Sequence, residues 1–254
     1  MTLPNNQLTN SIAFGVATLT ILAGLNIAAS PSQAAVITNC PGGDCTLNEL
    51  IVPGTFIQVG DKRFDSWEIS QNPNNIALGN MMISGIFQDT NAPGLEFMVN
   101  GNALSVPPGD IVFDFDFKVT SLGNPIKDNT LILNGYSARG DALIDIGELV
   151  GTNKGLADIT QKGVTAVGGD TEAKTVNREF DPVQSLWVRK KITISAINGG
   201  QASITKFQQR FSQEVPEPSS ALSLLTLGTL TAASTLKRNL KFSKSTEKEL
   251  EKIS

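Results

Sequence analysis

Not one of the 254 residues is histidine. Without it the chain cannot assemble a Ser-His-Asp triad, a Cys-His pair, a zinc site with imidazole ligands or a 2-His-1-carboxylate iron site. The side chain most readily tuned as a base near neutral pH is also missing. Cysteine occurs twice, at Cys40 and Cys45, so a bridge between them leaves no thiolate nucleophile. Positive charge is thin: 20 Lys and Arg stand against 24 Asp and Glu, for a net charge of −4. The triplet Arg189-Lys190-Lys191 is too short to form a basic stripe, which argues against nucleic acid as a partner. Between residues 35 and 213 no amphipathic helical period stands out, and no fixed repeat marks a β-helix.

Period-two alternation is what this stretch has instead. Ile111, Phe113, Phe115, Phe117 and Val119 share one face of a strand, with Asp114, Asp116 and Lys118 on the other, solvent-facing side. Leu186 to Ile197 alternates in the same way and sets Trp187, Arg189, Lys191, Thr193 and Ser195 on one face. Asn198-Gly199-Gly200 then offers positions that tolerate positive φ, so Gln201 to Phe211 is expected to return as a hairpin partner, with a bulge where Ile204 and Phe207 fall out of phase. Further strands are expected at Thr55 to Val59, Lys62 to Ile69, Met81 to Phe87, Leu95 to Val99, Leu131 to Ala138, Leu143 to Val150 and Thr171 to Asn177. Gly, Pro, Asn and Asp clusters separate them. The fold class expected is all-β, an antiparallel β-sandwich or jelly roll over residues 35–213.

The two ends differ from this middle. Ile12 to Ala29 is nearly continuous in apolar or small residues, and Ser32 and Ala34 occupy the small-residue positions of a signal-peptidase site, so residues 1–34 read as a signal peptide cut after Ala34. Near the other end Ala221 to Leu236 is weakly hydrophobic, with six Ser or Thr in sixteen residues. As a helix it would rise about 24 Å, a marginal span, and Lys237 and Arg238 follow it as a basic stop cluster.

Val215-Pro216-Glu217-Pro218, the hydrophobic segment and Lys237-Arg238 together resemble the PEP-CTERM sorting signal of exported bacterial proteins. Short phrases such as Cys45-Thr46-Leu47-Asn48-Glu49-Leu50 and Leu186-Trp187-Val188 resemble elements of uncharacterised cyanobacterial members. The resemblance implies a sorting segment at 214–241 with a transmembrane helix, a polar tail at 242–254, and processing by signal peptidase and an exosortase-type membrane peptidase. It also implies a protein of the cell envelope or extracellular matrix, transiently anchored in the inner membrane, with extracellular polysaccharide as a partner. On this reading the chain is a structural protein without catalysis or cofactor, flanked by an N-terminal signal helix and a C-terminal hydrophobic helix.

Two other functions fit the residues. A carbohydrate-binding or adhesive module would use an exposed ring, and Trp187, on a face with Arg189, Lys191, Thr193 and Ser195, is the candidate glycan contact. A histidine-independent glycoside hydrolase would use paired carboxylates, and Asp114 and Asp116, about 6.6 Å apart along a strand, have permissive spacing. Asp110, Asp141, Asp145 and Asp170 sit near turns but form no calcium-binding repeat. Four residues including two glycines lie between Cys40 and Cys45, enough to bend into a disulfide that pins the first turn of the domain.

Overall fold

The computed structural model describes residues 36–40, 44–87, 92–106 and 109–214. These form two antiparallel sheets packed face to face. The first sheet runs, in spatial order, β1 (Val36–Thr38), β3 (Ile57–Val59), β4 (Lys62–Gln71), β8 (Gly109–Ser121), β13 (Ser185–Ala196), β10 (Ala142–Gly151) and β11 (Thr160–Val167). The second runs β12 (Lys174–Val183), β9 (Ile126–Arg139), β14 (Gln201–Gln213), β6 (Gly94–Val99), β5 (Met81–Ile86) and β2 (Cys45–Thr46), with the short β7 (Ser105–Val106) also on β14.

Alternation builds the core as the sequence suggests. Ile111, Phe113, Phe115, Phe117 and Val119 of β8 all point inward and are buried. They meet Trp67, whose ring stacks 4.7 Å from that of Phe117, and Phe97, which stacks on Phe207 at 4.4 Å. Trp67 reaches this interior through a bulge. Ser66 takes φ 57°, and the register of β4 against β8 slips between Asp65 and Glu68, so Phe64 and Trp67 face the same side despite their odd separation.

The Leu186 to Phe211 region departs from expectation. Instead of a hairpin, β13 lies in the first sheet and β14 in the second, and Ile197 to Gly200 carries the chain across the sandwich. Positive φ at Asn198 and Gly199 makes the turn, but the strands leave it toward different partners: β13 pairs with β8 and β10, β14 with β9 and β6. The register of β14 against β9 does slip between Ile204 and Phe207. Both residues thereby face the core.

A correction concerns the flanks. The longest helix among the described residues is one turn, Leu47–Leu50, closed by a capping box between Thr46 and Glu49. None is long and apolar enough to cross a membrane. The expected signal helix, its cleavage at Ala34, the motif Val215 to Pro218, the hydrophobic helix and the Lys237-Arg238 cluster all lie outside the described residues. The architecture is therefore a two-sheet antiparallel fold with no flanking helix described. The membrane-spanning segment and transient inner-membrane anchoring, with the exosortase processing that depended on them, find no support in it.

Candidate functional site

The outer face of the first sheet carries a groove of about 960 Å³ across β8, β13, β10 and β11, with Gln71 of β4 at its margin. Register decides its shape. Gly147 of β10 pairs with Gly163 of β11 on one side and with Lys191 of β13 on the other. Two glycines abreast leave bare backbone where side chains would stand. A Cβ on Gly147 would meet only Lys191 Cβ and carbonyl O at 3.8 Å and Asp145 Oδ2 at 3.9 Å, all ordinary contacts, so nothing in the packing of the sheet requires glycine there.

Polar side chains ring this floor. Asp145 accepts a hydrogen bond from Thr165 Oγ1 at 2.8 Å, which fixes its carboxylate beside the hollow. Lys191, Thr193 and Gln161 complete the rim, and Leu143 and Leu149 add apolar surface. At the β8 wall Asp114 is almost fully covered, and its Oδ1 has no hydrogen-bond partner among the described residues. Burial pushes its carboxyl above the usual range, against the opposing pull of Lys191 and Arg189.

One end is walled by the segment joining β10 to β11. Lys154 makes an ion pair with Glu68 of β4, crossing the sheet face. Gly155, at φ 73°, lies so close to Arg189 that a Cβ would come within 2.8 Å of Nη2. Asp158 accepts from the Thr152 amide at 2.8 Å and from its hydroxyl, which ties the segment's two ends together. Beneath it Arg189 grips Asp116 through Nε at 2.8 Å and Nη2 at 3.1 Å, and Ser70 donates to the same carboxylate.

This arrangement revises the sequence reading of the acids. Asp116 is fully buried rather than solvent-facing, and both its oxygens are engaged. It cannot serve with Asp114 as a pair of free carboxylates flanking a scissile bond. Trp187 stands on the same outer face, in register with Gly151 and Lys118, half-buried and outside the groove lining. Asp141 is bound by Asn198, Asp145 by Thr165, and Asp170 by the Val167 amide and Lys174. No three acids or cysteines converge as a metal site among the described residues. Cys40 and Cys45 are joined in a disulfide with Cα atoms 5.4 Å apart.

Sequence reasoning missed a second polar cluster, inside the sandwich. Lys162, Glu148 and Lys190 form one cross-strand row on β11, β10 and β13, and their side chains are fully buried. The row faces Asn129 of β9 and Gln209 of β14. Asn129 Nδ2 donates to Glu148 Oε1 at 2.6 Å, and Lys190 binds Glu148 Oε2 and Gln209. Burial pushes the Glu148 carboxyl up, but Lys190 and Lys162 together hold it below the usual range.

No family model and no curated protein matches the chain. Among solved structures, TmCBM61 in complex with β-1,4-galactotriose aligns at TM-score 0.30 and 11% identity, over 58% of this chain and 88% of that one. A Gap123 glycosylation-associated protein complex from Streptococcus agalactiae gives 0.28 and 16%, over 57% and 25%. Arabinose-bound MgGH51 α-L-arabinofuranosidase gives 0.26 and 13%, over 57% and 23%. The expectation of a structural envelope protein gives way to a reading taken from the groove.

Proposed function

We propose that the chain is a non-catalytic carbohydrate-binding module whose site is the groove over Gly147 and Gly163. The paired glycines are the observation that carries this reading. A sheet face normally presents a side chain at every second residue, whereas here two adjacent strands omit one at the same level and open a shallow bed. A sugar ring suits such a bed. Its hydroxyls, each both donor and acceptor, match a rim of carboxylate, ammonium, hydroxyl and amide groups, and its C–H faces match Leu143 and Leu149.

A glycan screen of the full chain, repeated with Asp145→Ala and Trp187→Ala, tests the assignment. Asp145→Ala is expected to cut binding at least tenfold and Trp187→Ala to leave it within about twofold, since Trp187 lies off the groove. Binding that survives the first change and disappears with the second would move the site to the tryptophan. No binding to any glycan would remove the reading altogether.

A further inference from the structure

Two buried ammonium groups against one carboxylate make an unbalanced interior. Charges so placed are ordinarily matched, because desolvating an ion is costly unless a partner compensates. The row Lys162–Glu148–Lys190 carries one positive charge too many. Asn129 adds hydrogen bonds but no charge.

The geometry around Lys162 suggests how the excess is removed. Its Nζ lies against Asn129 Oδ1, 2.7 Å from the Asn129 carbonyl oxygen and 3.3 Å from Glu148 Oε1. The same Glu148 oxygen accepts from the Asn129 amide nitrogen at 2.6 Å. An amine, a carboxamide and a carboxylate touching both are thus enclosed together away from water. We propose that Lys162 and Asn129 are joined by an intramolecular isopeptide bond, formed autocatalytically with Glu148 as the proton shuttle.

The step balances without any co-reactant. Glu148 takes a proton from the Lys162 ammonium, and the free amine attacks Asn129 Cγ. The Cγ–Nδ2 bond of the resulting tetrahedral adduct then breaks as Glu148 returns the proton to the departing nitrogen. One C–N bond forms, one breaks, and nothing is oxidised or reduced. The nitrogen leaves as ammonia and takes up, by way of Glu148, the second proton that the Lys162 nitrogen sheds as it becomes the new amide, so the sum is ammonium plus amide from ammonium plus amide. What remains buried is a matched Lys190–Glu148 pair. Burial pulls the Lys162 ammonium down to about 8 against the upward pull of Glu148, which places a fraction on the order of a tenth in the nucleophilic neutral form at pH 7.

Lys190 against Gln209 offers a second amine and amide, but there the carboxylate reaches only the amine. Gln209 Nε2 has no hydrogen-bond partner among the described residues, so no acid is placed to protonate the leaving nitrogen. The proposed link ties β9 of one sheet to β11, the edge strand of the other, and closes a loop of 33 residues in sequence separation. Unlike the disulfide, it is indifferent to reductants.

Mass spectrometry of the purified full chain decides the matter. The folded, reduced protein is expected to weigh about 17 Da less than its sequence, by loss of ammonia, and its digest to contain a branched peptide joining Asn129 to Lys162. Asn129→Ala and Lys162→Met restore the full mass, Glu148→Gln prevents the loss, and Gln209→Leu leaves it in place. Asn129→Asp retains the link with loss of water, about 18 Da, in place of ammonia. Should a variant fail to fold, the wild-type digest alone settles the question. Full mass in a chain that melts cooperatively, or a branch at Lys190 and Gln209, overturns the proposal.

Discussion

Filling the bed at Gly147 separates binding from folding more sharply than removing a contact does. Gly147→Thr is the informative change. The added Cβ meets its neighbours at 3.8 Å or beyond, and the backbone there does not use positive φ, so no strain is introduced. A glycine inside a strand costs roughly 0.5–1 kcal/mol in unfolded-state entropy, and threonine adds a β-branched side chain suited to a strand. The variant should therefore gain about 1 kcal/mol, which for a domain of this size raises Tm by about 2–4 °C. Glycan affinity should fall at least tenfold, about 1.4 kcal/mol or more, because the side chain stands where the ring would lie. Calorimetric melting and titration with the glycan found in the screen measure the two effects on one sample. A variant that binds as well as the parent refutes the site. One that loses both binding and stability refutes the claim that the bed is vacant by design of the sequence rather than by necessity of packing.

Three further outcomes are expected. Asp114 has its folded pKa raised above the unfolded value, so the folded state binds the extra proton and stability is lost as pH rises from the unfolded value through the folded one; Asp114→Asn should melt higher than the parent at pH 7, with the gap closing toward pH 3.5, and an unchanged gap across a pH series of melts would contradict this. Replacing Cys40 and Cys45 by Ser opens a small loop and should cost about 2 kcal/mol in urea unfolding. Deleting Ser66 takes out the extra, positive-φ residue of the bulge and leaves Phe64 and Trp67 two apart on one face, so the indole should stay among the phenylalanines and urea unfolding should stay cooperative, and an outward, red-shifted indole would contradict this.

The core strands were legible because side-chain alternation is a local signal: Phe113, Phe115 and Phe117 face inward just as their spacing indicates. Strand β11 escaped because its inward residues begin with Lys162, and a lysine at a core position disguises the alternation with Val164 and Ala166. The same residue hid the polar cluster, since only the register of β10 with β11 and β13 aligns Lys162, Glu148 and Lys190. Asn198-Gly199-Gly200 announced a turn correctly, but turn chemistry is satisfied locally and does not say whether the next strand returns beside the last or crosses to the other sheet. The groove was invisible for a related reason. Gly147 and Gly163 are sixteen positions apart in the chain, and only pairing makes them neighbours.

Trp67 and Trp187 are the two tryptophans of the chain, one stacked among phenylalanines and the other half-buried on the outer sheet face. Their indoles should accordingly emit at different wavelengths, the inner one blue-shifted and the outer one nearer the solvent value. Trp187→Phe would leave a single indole that follows collapse of the aromatic stack, and Trp67→Phe one that senses the surface beside the groove, so unlabelled protein excited at the indole band can report its folding and its occupancy through separate optical channels.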